Sequence, residues 1–280
     1  MTFVSHPVDA AGLKLNLRER PGAGPNVLLL HGWLDHSHGF DWLCEHLPAQ
    51  WRLFALDFRG HGQSDALPKG GSHQFTDHVA DAEAVLRHFA LEKFHLVGHS
   101  LGGSVAICVA AAHPEQAQSL TVIESLGTSG GDPDRALVRL QDFAAELFKP
   151  VRRRVYPSVE DAGRRVAEAN SSYSAEAAQH MAKYGTTGVE GGVVFSADPL
   201  LKRTSGMAFD EGQVLAICAG VKCPVQVIQG TRGMTLDDET MKRRLEALRN
   251  PPVIAVEGGH HVHLDRPADV AAQVVRFIGA

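Results

Sequence analysis

The 280-residue chain contains no run of about 18 apolar residues, the least that a helix needs to cross a bilayer. Its first residues, Met1-Thr2-Phe3-Val4-Ser5-His6, lack the basic and apolar stretches of a secretory leader. These absences set the expectation of a cytoplasmic address without a membrane span. Cysteine is scarce: Cys44, Cys108, Cys218 and Cys223 form neither a C-x-x-C pair nor a zinc-finger spacing, so free thiols are expected rather than a disulfide framework. Excess positive charge is missing too. With a net charge of −5 the chain offers nucleic acid no basic surface, and internal repeats and low-complexity tracts are absent. The sixteen histidines, including the close pair His36 and His38, show no recurring ligand spacing, so no metal is expected. What remains is ordinary globular composition, 44% hydrophobic and 21% charged, long enough to bury about three quarters of its unfolded surface in one core with an insertion.

Leu13, Leu15 and Leu17 alternate with Lys14, Asn16 and Arg18, the period of a half-buried antiparallel strand that would pair with residues 3–9. From Val27-Leu28-Leu29-Leu30 onward the apolar runs are unbroken, as befits strands covered on both faces. Further runs are Leu53–Leu56, Phe94–Val97, Leu120–Ile123, Val225–Ile228 and Val253–Val256. Segments of helical period separate most of them, which predicts a parallel α/β sheet. The alternation breaks once, between residues 127 and 211, where three short helical patterns and two glycine-rich turns predict an inserted cap between core segments 1–126 and 212–280. Within it, Asp132-Pro133 opens a helix with Leu137, Leu140, Ala144 and Leu147 on one stripe, and Ser158 opens another. Farther on, Thr235-Leu236-Asp237-Asp238 reads as a capping box, and Pro267 opens a final helix with Val270, Val274, Phe277 and Ile278 on one face.

Phe94 to Gly103 is an apolar strand that turns at Ser100 into a helix of small residues, with Gly98 and Gly102 two positions either side of the serine. Those glycines let strand and helix approach closely, the physical content of a G-x-S-x-G nucleophile elbow. A serine hydroxyl needs a base, and the base an orienting acid. In open parallel sheets such groups stand beyond the carboxyl ends of the strands. After Leu30 comes His31-Gly32-Trp33, whose Trp33 N–H, with that of Leu101, makes a two-donor oxyanion hole. After Leu56 the turn Asp57 to Ser64 is read as structural, and so is His99, whose side chain should point away from the hydroxyl. After Val256 the stretch Gly258-Gly259-His260-His261 offers the base: His260 is favoured because the glycines permit a sharp turn, with His261 as its rival.

The ordered set His31-Gly32-Trp33, Asp57 to Ser64, Gly98 to Gly103 and Gly259-His260 resembles the α/β-hydrolase superfamily over the whole chain. His31 to Asp35, Tyr184-Gly185-Thr186-Thr187 and Asp198-Pro199-Leu200 look most like the serine hydrolase-like proteins. The resemblance implies an α/β-hydrolase fold: a mostly parallel sheet of about eight strands, flanked by helices and carrying a helical cap. It aligns Ser100 with the nucleophile, His260 with the base, and Trp33 and Leu101 with the oxyanion donors. One departure concerns the acid. Many relatives carry it three residues after the glycine that ends the seventh strand, and in Gly230-Thr231-Arg232-Gly233 that place holds a glycine. The expected acid is therefore Glu124, at the carboxyl end of the strand after the nucleophile helix. Asp237 and Asp238 compete, but a carboxylate in a capping box already has a structural reason to be there.

The expected activity is hydrolysis of a carboxylic ester with a small or medium acyl group, through an acyl-enzyme and without metal or cofactor. Serine rather than aspartate at the elbow argues against halide or epoxide chemistry. Thioester hydrolysis, carbon–carbon bond hydrolysis and cofactor-free perhydrolysis remain as alternatives on the same residues, and a ligand-binding protein without catalysis is an alternative of another class. In the insertion, Lys149, Arg152, Arg153, Arg154, Arg164 and Arg165 read as a solvated basic face. Phe143, Leu147, Phe148 and Met181 serve either a pocket lining or packing against the core.

Overall fold

The computed structural model describes residues 2–68, 71–128, 130–170, 173–233 and 236–279. Strands β1 (Val4–Ala10) and β2 (Leu13–Arg20) form the antiparallel pair that the leucine alternation predicts. β3 (Asn26–Leu30), helix α1 (Asp41–Glu45), β4 (Arg52–Leu56), α2 (Phe75–His88), β5 (Phe94–His99), α3 (Leu101–Ala112) and β6 (Ala117–Ile123) follow. After the insertion come α7 (Glu211–Gly220), β9 (Val225–Gly230), α8 (Asp238–Ala247), β10 (Val253–Val256), α9 (Val262–Asp265) and α10 (Pro267–Ile278). The sheet has eight strands in the order β1-β2-β4-β3-β5-β6-β9-β10, parallel from β4 onward.

The unbroken apolar runs are unbroken because both faces of the sheet are covered. On β3, Leu28 and Leu30 point into a core shared with Phe54, Val105, Ile107 and Leu120, while Val27 and Leu29 join Phe40, Leu43, Val97, Val270 and Val274 on the other face. A period of two thus distributes one run between two layers. Helix α10 starts at Pro267 as expected. The cap of α8 differs from expectation: Asp237 is its N-cap, accepting from the Thr240 N–H at 2.9 Å, and Thr235 lies outside the described residues.

Between β6 and α7 the chain adds no strand to the large sheet. It forms α4 (Ala136–Glu146), α5 (Val159–Ala169), α6 (Ala175–Gly185) and a hairpin of β7 (Thr186–Val189) and β8 (Gly192–Phe195). The hairpin lies where the sequence suggests only a glycine-rich turn. A bridge between Gly131 and Asp210 brings the two ends of this segment together, as an insertion into a closed core requires. In α4 most of the predicted stripe faces solvent: Leu137, Leu140 and Ala144 are exposed, while Leu147 shares the inward, half-buried positions with Arg139, Phe143 and Glu146. Phe148 is 88% exposed and lines nothing, while Met181 packs with Ala177 and Leu264.

Candidate active site

Ser100 has φ 51° and ψ −115°, a backbone state that an L-residue holds at a cost of about 1–3 kcal/mol. Its neighbours hold it there. The Ser100 N–H donates to the Ile123 carbonyl at 2.9 Å, and a Cβ on Gly98 or Gly102 would overlap the backbone of Gly102 or Leu30 respectively. Only glycine at both positions lets β5, β3 and α3 meet this closely. The His31–Trp33 turn abuts the elbow, since a Cβ on Gly32 would lie 3.5 Å from that of Ser100. The backbone N–H groups of Trp33 and Leu101 have no acceptor among the described residues. Leu101 opens α3, so its N–H is one of the unsatisfied donors at a helix start, where negative charge is favoured. His31 holds the turn: its Nδ1 donates to the Gly32 carbonyl at 2.7 Å and its Nε2 accepts from the Phe58 N–H at 3.1 Å. Burial pushes its pKa down to about 3, in keeping with a neutral, structural ring.

Glu124 follows β6 directly and its φ is 55°. Its Oε1 accepts from the Gly230 N–H at 2.5 Å and its Oε2 lies 3.1 Å from Nδ1 of His260. A carboxylate only accepts, so Nδ1 carries a proton, and in the neutral ring the lone pair is then on Nε2, the tautomer that a general base needs. Gly233 makes room for this arrangement: a Cβ there would overlap the carboxylate carbon and both oxygens of Glu124. The glycine that leaves the seventh-strand place without an acid is thus the residue that admits the Glu124 carboxylate. His260 is tied down a second time, because its carbonyl accepts from Nε2 of the buried His99 at 2.8 Å. Among the described residues Ser100 Oγ makes no hydrogen bond, so the structure joins two of the three groups directly and leaves the Ser100–His260 contact open.

The rivals stand elsewhere. His261 is buried and stacked on Tyr173 at 3.7 Å, with its pKa pushed down to about 2 by burial and then by the neighbouring His263 and His260. Asp237 and Asp238 are exposed at the start of α8, where Asp237 caps the helix. Asp57 serves its turn, accepting from the Ser37 N–H at 2.6 Å, the Asn16 amide at 2.8 Å and the Gln63 N–H at 3.0 Å. Asp35, His99 and His263 bring a carboxylate and two imidazoles within 4.8 Å of one another, a set able to hold a metal ion. All three are buried and none lines the cavity, so an ion there would be out of reach of a substrate.

A cavity of about 530 Å³ opens beside Ser100, within the usual range of small-molecule sites. Ser100, Leu101 and Glu124 line it together with the carboxyl ends of β6 and β9, the start of α2, and the face of α8. Arg139, Ser205, Met207, Ala208 and Phe209 from the insertion complete the wall. Sequence reading passes over Arg139; the signal for it is that position 139 lies one helical turn before Phe143, on the inner face of α4.

A family described as the alpha/beta hydrolase fold matches residues 25–267. A serine hydrolase-like protein of Danio rerio is 31% identical over 270 residues, covering 92% of this chain and 82% of that protein. A 2-(acetamidomethylene)succinate hydrolase of Mesorhizobium japonicum is 27% identical over 283 residues, covering 99% of this chain and 96% of that one. The crystal structure of a hypothetical protein from Pseudomonas aeruginosa PAO1 superposes with a TM-score of 0.92 at 30% identity, each chain covered in full.

Proposed function

The chain belongs to the α/β-hydrolase fold family, close to the serine hydrolase-like proteins, and on that premise we propose that it is a serine hydrolase acting on a carboxylic ester. Ser100 Oγ attacks the ester carbonyl while Nε2 of His260 takes its proton, and the developing oxyanion is met by the N–H groups of Trp33 and Leu101. His260 then returns the proton to the departing alcohol, and an acyl-enzyme on Ser100 remains. Water, deprotonated by the same imidazole, cleaves it and frees the acid. Glu124 holds the ring in its Nδ1–H tautomer and stabilises the imidazolium that forms in both steps.

The observation that carries this reading is the 3.1 Å contact between His260 Nδ1 and Glu124 Oε2 beside a serine in a strained elbow. Three separate strand ends supply these groups, and packing alone gives no reason for them to converge. Residues 127–211 act as the cap over the acyl site, since Arg139, Ser205, Met207, Ala208 and Phe209 wall the cavity opposite the strand ends together with α2, α7 and α8. Among the described residues no helix is long and apolar enough to cross a membrane.

The test is labelling with a fluorophosphonate together with turnover of short-chain aryl esters. Labelling at Ser100 and ester turnover are expected, with both lost in Ser100→Ala while the melting temperature stays near that of the parent. An unlabelled but folded parent would overturn the assignment and leave a ligand-binding protein.

A further inference from the structure

Most charged groups around the cavity are already engaged. Arg244 is buried and held bidentately by Glu211, with Nε–Oε1 at 3.1 Å and Nη2–Oε2 at 2.6 Å, and it also donates to the Leu126 carbonyl. Glu124 is committed to His260 and to the Gly230 N–H. The remaining charged lining residue is Arg139. It sits on the inward face of α4, in line with Phe143 and Glu146, and among the described residues it has neither an ion-pair partner nor a hydrogen bond. Glu146, two side chains along that face and beyond Phe143, accepts from the Thr204 N–H at 2.8 Å and so does not serve it.

An arginine on the inner face of a covering helix is not where packing would put one. Leucine or methionine would fill that position at lower desolvation cost, and the leucines of α4 lie on the outside instead. The rest of the cavity wall is largely apolar, with Leu101, Leu126, Met207, Phe209, Val227 and Leu236 around it, so half-buried Arg139 offers a bound group the one unengaged charge of that wall among the described residues. Its planar fork matches a carboxylate in two parallel hydrogen bonds.

We propose that Arg139 is a substrate-binding residue and that the natural acyl group carries a second, free carboxylate: the substrate is a monoester of a dicarboxylic acid. This rests on Ser100 as the nucleophile. The ester carbonyl sits at Ser100, the methylene chain runs along the apolar wall, and the distal carboxylate meets the guanidinium supplied by the insertion. Hydrolysis then releases the alcohol and the dicarboxylate.

The experiment compares matched aryl esters that differ only in the distal group, such as the mono-4-nitrophenyl ester of glutaric acid and 4-nitrophenyl pentanoate. The parent is expected to favour the charged ester in kcat/KM by about 10- to 100-fold, the range of one charge-assisted hydrogen-bonded pair, mainly through KM. The preference should shrink with added salt. Arg139→Gln should bring the ratio of the two kcat/KM values to near one, and Arg139→Glu should push it below one. Turnover of the neutral ester without preference for the charged one overturns the inference and leaves the catalytic reading intact. An unchanged ratio in folded Arg139→Gln also overturns it. Absence of both turnover and fluorophosphonate labelling overturns the two together.

Discussion

Gly233→Ala adds a single methyl group at the one place where the proposed triad has no slack. The new Cβ would fall inside van der Waals contact with the Glu124 carboxylate. The backbone at that turn cannot retreat easily: Gly233 N–H donates to the Gly230 carbonyl at 3.0 Å, Arg232 N–H to Gly258 at 2.9 Å and Thr231 N–H to Val256 at 2.9 Å. The carboxylate must therefore move, by on the order of 1 Å to regain ordinary contact. That shift breaks the 3.1 Å contact with His260 or the 2.5 Å bond from Gly230, and the present position depends on both. Misplacement by about 1 Å costs roughly 10²-fold in rate, and complete loss of an orienting acid about 10⁴-fold. Turnover in Gly233→Ala is accordingly expected to fall about 10²-fold, with Glu124→Gln setting the lower limit. The assay is kcat on a short-chain aryl ester, normalised to active sites by fluorophosphonate titration, with a thermal melt confirming the fold. A folded Gly233→Ala variant within about threefold of the parent would refute the reasoning. The complementary swap is informative too: Glu124→Gly combined with Gly233→Asp should recover part of the loss, since Gly233 is not in the left-handed region and glycine suits the φ of 55° at 124.

Arg244→Met should lower stability in urea by about 3 kcal/mol or more, because it leaves the Glu211 carboxylate and the Leu126 carbonyl without the cation that joins α8 to α7; a loss below about 1 kcal/mol would mean the ion pair is dispensable. Stability should also fall as pH drops below neutrality. Burial lowers the folded-state pKa of His31 to about 3, of His36 to about 4 and of His263 to about 3, so between about pH 6.5 and 4 the unfolded chain binds protons there that the folded chain does not. Asp35 acts with the opposite sign: burial raises it to about 7, so its contribution is present at low pH and lost as pH rises through 7. His261, held down to about 2, acts in the same direction as the three histidines, as do His61 and His99, which burial holds well below the ordinary value. Four histidines against one aspartate already leave a net difference of about three protons near pH 5, worth on the order of 4 kcal/mol per pH unit. A urea midpoint at pH 5 equal to that at pH 7 would contradict this.

Much of the sheet is legible in the sequence because strands buried on both faces must be apolar throughout, and runs such as Val27–Leu30 have no other economical use. The elbow is legible for a steric reason, the need for glycine at 98 and 102. The insertion reads less well because its elements bury little. Leu137 and Leu140 have helical spacing, yet nothing in the sequence says that the opposite face, with Arg139 and Phe143, is the one that turns inward. The β7–β8 hairpin hides behind Gly188, Gly191 and Gly192, which weaken the strand pattern on both sides of the turn. Among site residues, Gly233 is visible only as a missing acid. That its emptiness is occupied by Glu124, and that His99 is bonded to the carbonyl of His260, are facts of three-dimensional adjacency that no local pattern encodes.

Helix α4 buries none of its residues, and its clearest attachments run to a short strap of the same insertion: Phe143 lies against Gly206, Glu146 accepts from the Thr204 N–H, and the Lys149 carbonyl accepts from Arg203. Helix and strap are thus held chiefly by each other, with the Ser205 hydroxyl on Gln74 Oε1 at 2.8 Å as a bond from the strap to the core, and lifting them would uncover the cavity side of Leu126 and Val227 while leaving the sheet paired. Such an opening is a sub-global event, with a free energy far below that of unfolding the sheet. Amide hydrogens of residues 136–147 would then exchange with solvent on a timescale unrelated to that of β5 or α3. If substrate enters by way of this flap, its entry rate follows how often the flap lifts, and changes that strengthen the sheet would leave that rate where it was.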